Sequence, residues 1–246
     1  MVSIDRSHEV FRHIERDYWE YYRELEAEFI QMRKYVDFTA DNFNTYSVEL
    51  LKLFQAVCSE IDAIGKAMAT LINPEFKPND KSNNIYKWWY IIQDEYYVTD
   101  SYAGVFREQR EPTIQLSECA HVFCDSFEIC AWDNFRIEIR EDRHGRKRHE
   151  LVKGCKVPKW WSDYNKIKHN RMAIIYGNNS CCNYYRANLE NVCNSFAALY
   201  TLEKSLMESV GTKNDLEAFY NMSDLFTKPA FTTTEEIDKL FERVGL

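Results

Sequence analysis

Apolar side chains recur at helical spacing along most of this chain. Between residues 8 and 36, Phe11, Tyr18, Leu25 and Met32 follow one another at seven-residue intervals, and Glu, Arg and Lys fill many of the positions between them. This spacing places the apolar side chains on one face of a helix. Comparable patterns recur further along the chain. We therefore predict helices over about residues 8–36, 45–72, 84–97, 158–172 and 181–210, and a short last helix over about 234–243.

The pattern changes between residues 98 and 157. The segment Arg136-Ile137-Glu138-Ile139-Arg140 alternates strictly between charged and apolar residues, as a strand with one exposed face does. With Gly145 in the polar segment that follows, we predict a β-hairpin over residues 134–153. The predicted fold class is mainly α, a helical bundle with a small β insertion over about residues 98–157. We expect one domain spanning residues 1–246.

The composition narrows the class of protein. The chain has 246 residues, of which 45% are hydrophobic and 15% aromatic, and this is too apolar for a disordered protein. The net charge is -8, so any contact with nucleic acid must be local. No apolar run is long enough to span a membrane, and the N-terminal residues do not resemble a secretion signal. We therefore expect a cytoplasmic protein without a membrane partner.

Eight cysteines raise the question of disulfides or a metal site. No pair has the two-residue gap of a zinc knuckle, and in a reducing cytosol the cysteines are expected to be free thiols. The chain also lacks a Walker loop, a dinucleotide-binding glycine motif and a metalloprotease motif. We therefore expect no metal and no cofactor.

The densest group of chemically capable side chains lies on the helix predicted over residues 158–172. Asn165 and His169 are four residues apart and so share one face of that helix. His169 could move a proton from a ribose 2′-hydroxyl, with Asn165 orienting it or the substrate. The alternative is structural: His169 forms a hydrogen bond within the bundle, and the cations complement the helix dipole. The candidate phosphate-binding residues in this stretch are Lys166, Lys168 and Arg171.

The string Tyr164-Asn165-Lys166-Ile167-Lys168-His169 resembles the signature of HEPN (higher eukaryotes and prokaryotes nucleotide-binding) domains. That signature is an Arg, usually followed by a polar residue, and then a short spacer ending in His. The resemblance implies an all-α bundle, commonly dimeric, whose active members cut RNA without metal in a cleft shared by two copies. Other members bind RNA or nucleotides, or act as antitoxin or scaffold partners.

The resemblance places Asn165 at the polar position and His169 at the histidine. Tyr164 occupies the arginine position, and a tyrosine cannot supply the permanent forked cation that clamps a phosphate. Lys168 or Arg171 could take over that role; otherwise this copy of the motif is degenerate and does not cleave. Arg143 and His149 also fit the formal pattern, but they lie in the predicted hairpin, and we interpret that match as coincidence.

A second candidate site is the tip of the predicted hairpin. It carries the densest positive charge in an acidic chain and could bind an RNA backbone. Alternatively, it is a solvated turn whose charge protects an exposed strand edge. Its cations are Arg143, Arg146, Lys147 and Arg148, accompanied by His144 and His149.

Two pairs of adjacent tryptophans, Trp88-Trp89 and Trp160-Trp161, could stack on bases. Tryptophans at helix seams more commonly belong to a core. We therefore expect Trp88 and at least one of Trp160 and Trp161 to be buried.

Two functional hypotheses remain open from the sequence. The first is an RNA-directed protein, in its sharpest form a metal-independent endoribonuclease of a bacterial defence or toxin–antitoxin system, with His169 as the acid or base. The second is a non-catalytic helical module that dimerises or binds a helical protein partner, in which Asn165 and His169 are structural.

Overall fold

Helices dominate the computed structural model, which describes residues 8–100, 114–116, 128–171, 182–210 and 223–227. The prediction of a mainly α fold with a small β part is confirmed. The α-helices are α1 (His8–Ile14), α2 (Glu20–Gln31), α3 (Val48–Ile72), α4 (Ile85–Asp100), α5 (Lys159–Asn170) and α6 (Leu189–Val210).

The first predicted helix is interrupted by a π-helical turn, Glu15–Trp19, which joins α1 to α2. Such a turn adds a residue to the helix and so rotates the side chains that follow it. As a result Trp19 is fully buried and stacks on Tyr22 at 4.9 Å, whereas Tyr18 of the predicted seam is only partly buried. The α-helical part ends at Gln31, five residues before the predicted end.

The long helix α3 contacts α2, α4, α5 and α6. It begins at Val48 because the Ser47 hydroxyl caps it by accepting a hydrogen bond from the Leu50 amide at 3.1 Å. It passes close to α4 at Gly65, where a β-carbon would lie 2.7 Å from the Trp88 ring. The absence of a side chain at Gly65 therefore allows Trp88 to pack directly on the helix.

Five tryptophans form a buried cluster between α4, α5 and the segment before the hairpin. Trp89 stacks on Trp132 with ring centroids 4.3 Å apart, and the Trp160 indole donates a hydrogen bond to the Ala131 carbonyl at 2.8 Å. The expectation that Trp88 and at least one of Trp160 and Trp161 belong to the core is confirmed. Because the rings of the cluster are enclosed, base stacking by them is excluded. The cluster consists of Trp88, Trp89, Trp132, Trp160 and Trp161.

The predicted hairpin is present as β3 (Ile137–Glu141) and β4 (Lys147–Leu151), which pair antiparallel. Gly145 lies in its turn with a φ of +73°, a conformation that glycine adopts without strain. Gln93 of α4 holds the hairpin: its side chain donates to the Ile137 carbonyl at 2.9 Å and accepts from the Ile137 amide at 3.0 Å.

A second small sheet has the strand order β2–β1–β5, with both pairings antiparallel. The last predicted helix, over about 234–243, lies outside the described residues. Within the part that is described, no helix is long and apolar enough to cross a membrane. The three strands are β1 (Ile114–Leu116), β2 (Glu128–Ile129) and β5 (Phe226–Thr227).

The prediction that the last long helix begins near residue 181 was wrong, because α6 begins at Leu189. A short 3-10 turn, Asn183–Arg186, precedes it. Asn188 caps the start of α6, since its side-chain oxygen accepts a hydrogen bond from the Asn191 amide at 3.0 Å.

Candidate functional site

Helix α5 carries the candidate residues because its two faces differ in burial. One face packs into the bundle through Trp160, Trp161, Tyr164 and Ile167, all of which are buried. These positions recur at intervals of three or four residues, as an amphipathic helix requires. The candidate side chains outside this buried face therefore reach solvent around the last turn of α5.

His169 lies in that last turn and is exposed. No hydrogen bond or ion pair joins its ring to any other residue that the structure describes. The imidazole is therefore accessible to a ligand, as proton transfer to a substrate requires.

No hydrogen bond joins the side chains of Asn165 and His169. The amide nitrogen of Asn165 donates to the backbone carbonyl of Trp161 at 3.1 Å, one turn earlier in the same helix. This hydrogen bond directs the side-chain amide toward the start of α5. The role of Asn165 in positioning His169 or a substrate stays a prediction.

Tyr164, at the arginine position of the motif, belongs to the core. Its ring lies 5.4 Å from that of Trp161 and 6.1 Å from that of Phe54 on α3. Burial, with smaller effects of Cys58 and Asp62, raises the pKa of Tyr164 to about 12. The phenol is therefore neutral and cannot act as the forked cation of the signature.

The three cations of the stretch have different partners. Lys168 places its ammonium over the ring of Tyr164, 5.5 Å from the centroid. Arg171 donates to the Gln55 side-chain oxygen at 3.2 Å, whereas Lys166 forms an ion pair with Asp163 at 3.1 Å. Within the described part of the chain, no carboxylate pairs with Lys168 or Arg171. No carboxylate of the described residues therefore competes with an anionic ligand for these two side chains.

Asp163 anchors α5, a role that the sequence analysis missed. Its buried carboxylate accepts from Arg186 at 2.7 Å and from the Asn191 side chain at 3.1 Å. Burial alone would raise the pKa of Asp163. Hydrogen bonds from Lys166 and Asn191, together with the charge of Arg186, outweigh burial and hold that pKa below its ordinary value. The i,i+3 spacing of Asp163 and Lys166 was visible in the sequence, but the burial was not.

The 3-10 turn Asn183–Arg186 closes the end of α5. The Asn183 side chain donates to the Asn170 carbonyl at 2.6 Å, and the Cys182 thiol donates to the Arg171 carbonyl at 3.0 Å. These contacts satisfy carbonyls that a helix end leaves without partners. The turn thereby brings Tyr184 and Tyr185 next to the last turn of α5.

The hairpin tip is exposed, but part of its charge is compensated. The Asp142 carboxylate accepts from the His144 backbone amide at 2.8 Å and from the Arg146 guanidinium at 2.9 Å. Backbone hydrogen bonds from Arg146 and His144 are the main reason that the pKa of Asp142 is lowered. Arg148 also approaches Asp142, at 3.7 Å, while Arg143 and Lys147 extend into solvent.

The contacts of His149 differ from those of His144, the other histidine of the tip. The His149 ring packs edge-on against Tyr90 of α4 at 5.2 Å, and burial lowers its pKa, with a smaller effect of Lys87. Arg143 lies in the turn and His149 in β4, so this formal motif match lies on a hairpin, as predicted.

The described residues contain no group of three His, Cys, Asp or Glu side chains placed to hold a metal ion. The strongest candidate site is the end of α5, where the exposed imidazole of His169 is accompanied by Lys166, Lys168 and Arg171. Comparisons with models of known families, with curated proteins and with solved structures find no match to this chain.

Proposed function

We propose that this protein acts on RNA, that the end of α5 binds the phosphate backbone, and that His169 transfers a proton during cleavage without metal. The observation that carries the proposal is the exposed imidazole of His169, whose neighbours along the chain, Lys168 and Arg171, have no carboxylate partner among the described residues. The resemblance of the motif to HEPN domains supports the same chemistry.

The positions of the cations suit a phosphate close to His169. Lys166 and His169 are three residues apart and share one side of the helix. Lys168 and Arg171 lie on the other side, where they contact Tyr164 and Gln55. A phosphodiester lying across the last turn would meet positive charge on both sides of the imidazole. Tyr164 is buried and cannot replace the arginine of the signature. Arg171 is the only arginine between residues 164 and 171, so it is the residue of this segment that can make a forked contact to phosphate.

The proposed reaction is an internal displacement on the RNA strand. His169 takes the proton of a ribose 2′-hydroxyl, the 2′-oxygen bonds to the adjacent phosphorus, and the bond to the 5′-oxygen breaks. The leaving oxygen is protonated by a second imidazole, which a second copy of the chain could supply. The products carry a 2′,3′-cyclic phosphate and a 5′-hydroxyl.

Cleavage of labelled RNA in the presence of a metal chelator tests this proposal. We expect His169→Ala to lower the cleavage rate by about 10²- to 10⁴-fold, the usual contribution of an acid–base group. The matched control is His13→Ala, because His13 is exposed on α1, outside the proposed site. An inert parent protein on varied RNAs, or equal cleavage by His169→Ala, rules out the nuclease.

A second candidate function is supported by the burial of Tyr164 and by the bond of Asn165 to its own helix. Both suit a non-cleaving copy of the motif, in a helical module that dimerises or binds a protein partner. Light scattering and recovery of partners from lysate test it. A strictly monomeric protein that recovers no partner contradicts this second function.

A further inference from the structure

Two exposed tyrosines and a partly buried one form an aromatic patch beside the 3-10 turn. The ring centroid of Tyr46 lies 4.4 Å from that of Tyr185 and 5.6 Å from that of Tyr184. Tyr46 is 45% and Tyr185 42% exposed, although large aromatic rings usually bury most of their surface. We call Tyr46, Tyr184 and Tyr185 the tyrosine patch. Its rings contact one another and leave aromatic surface open to solvent.

The tyrosine patch adjoins the end of α5 through the backbone. Asn183, which precedes Tyr184, bonds to the Asn170 carbonyl, one residue after His169. Because successive α-carbons are about 3.8 Å apart, Tyr184 lies within a few residue lengths of His169.

Helix α3 also links the tyrosine patch to the end of α5. Tyr46 lies two residues before the start of this helix at Val48, and Gln55, which accepts a hydrogen bond from Arg171, lies seven residues after Val48. Seven residues are about two turns, so Val48 and Gln55 share a face and lie about 10 Å apart along the axis. Val48 is 68% exposed and Lys52 is exposed as well, whereas Leu51 is buried, so only part of this face reaches solvent between the tyrosine patch and Arg171.

The charges around the patch suit an anionic partner. The acidic residues closest along the chain are each paired: Glu49 at 2.8 Å with Lys52, which it shares with Glu28, and Glu190 at 3.0 Å with Lys159. Lys168 and Arg171, by contrast, have no such partner among the residues described. A ligand that spans the patch and the end of α5 would therefore meet aromatic surface at one end and positive charge at the other.

We propose that the tyrosine patch is a stacking platform for unpaired bases, so that the protein selects single-stranded RNA. This inference rests on the proposed function, because the end of α5 must hold the phosphates of the same strand. Bases in a duplex have both faces covered by neighbouring bases, whereas those of a single strand can lie on an aromatic ring. Base stacking, which the sequence left as an alternative for the tryptophans, is thus assigned to tyrosines.

Fluorescence anisotropy with three labelled RNAs tests the platform: a single strand, the same strand in a duplex, and a single strand with abasic positions. Stacking contributes roughly five- to 150-fold in affinity per base. We expect the Tyr46→Ala and Tyr185→Ala double variant to lose at least about five-fold affinity for the intact single strand only. The Phe versions of both substitutions should retain the affinity, because a phenyl ring also stacks.

Tyr35→Ala is the matched control, because Tyr35 is 84% exposed outside the patch. Unchanged affinity of the double Ala variant, or an equal loss on abasic RNA, overturns the platform. Conversion of a dimer into a monomer by Tyr185→Ala also overturns it, because the patch is then an interface between copies. If Lys168→Ala weakens RNA binding and the tyrosine variants do not, only the platform fails. If the parent binds no RNA, the proposed function fails as well.

Discussion

Asp163 keeps the candidate site in place through a single buried carboxylate. It joins α5 to Arg186 of the 3-10 turn and to Asn191 of α6. Because its pKa in the folded protein is lowered, its charge stabilises the fold above the ordinary carboxyl pKa of about 3.9. That stabilisation is lost as the pH falls through the lowered pKa of the folded state.

We expect Asp163→Asn to lower the free energy of unfolding by about 2 kcal/mol at neutral pH, the range for hydrogen bonds to charged groups. The difference from the parent should shrink at acidic pH, where the parent carboxyl is protonated. Urea unfolding at several pH values measures both effects. Asp133→Asn is the control, because Asp133 is half exposed and its ion pair with Lys156 spans 3.7 Å. An equal loss for the two variants would contradict the anchoring role.

The pKa of Glu203 on α6 is shifted in the opposite direction from that of Asp163. Glu203 is fully buried, and its carboxyl oxygens have no hydrogen-bond partner among the described residues. Burial, reinforced by Glu60, raises the pKa of Glu203 well above its ordinary value. The folded protein therefore holds this carboxyl protonated, whereas the unfolded chain ionises it above pH about 4.3. Stability is lost as the pH rises from there toward the folded-state pKa.

Glu203→Leu should therefore raise the free energy of unfolding by about 1–3 kcal/mol at neutral pH, since an apolar side chain of similar size needs no partner. The gain should increase with pH and be smallest near pH 4. Thermal and urea unfolding across this range provide the test. Glu24→Leu, at an exposed position of α2, should change stability by less than about 0.5 kcal/mol. A destabilised Glu203→Leu protein would show that the carboxyl is bonded in solution.

At the scale of elements, α6 shows where the sequence pattern was insufficient. The sequence pattern predicts one apolar face, but the described part of α6 is buried on nearly all sides. Its small hydroxyl residues read as polar, yet Ser195 donates to the Val192 carbonyl at 2.9 Å and Thr201 to the Ala197 carbonyl at 3.0 Å. Side chains that bond to their own helix can be buried without an outside partner. Periodicity does not reveal this.

Local signals predicted other elements well. The hairpin was predictable because strict alternation and a turn glycine are encoded within a few residues. The burial of Asp163 and the contact of Arg171 with Gln55 join positions far apart in the chain, so no local pattern reveals them. The end of α5 was therefore found as a group of residue types, and its geometry came only from the packed bundle.

The contact between α3 and α4 at Gly65 leads to another prediction. Gly65→Ala would place a β-carbon 2.7 Å from a Trp88 ring that is itself packed against other tryptophans. Overpacking costs about 1–3 kcal/mol, which exceeds the helix-propensity gain of up to about 1 kcal/mol. We expect a net loss in urea unfolding. Ala63→Gly, at an exposed position of α3, calibrates the propensity term alone. A stabilised Gly65→Ala protein would mean that Trp88 can move.

For the whole molecule, the net charge of -8 makes RNA binding depend on a local patch. Each phosphate contact on a single strand contributes about 0.7 to the slope of log affinity against log salt. We expect the Lys168→Ala and Arg171→Ala double variant to reduce this slope by about 1.4, with Lys81→Ala as an exposed control. An unchanged slope here, with a reduced one for Arg143→Ala and Lys147→Ala, would move the binding site to the hairpin tip.

The two hydrogen bonds between Gln93 and Ile137 also affect how the chain behaves at high protein concentration. Both outward-facing backbone groups of Ile137 are already engaged by one carboxamide of the same molecule. A strand from a neighbouring molecule would find no free donor or acceptor at that position. At this position the hairpin is thereby protected against pairing with strands of other molecules, which is the step that leads to fibrils.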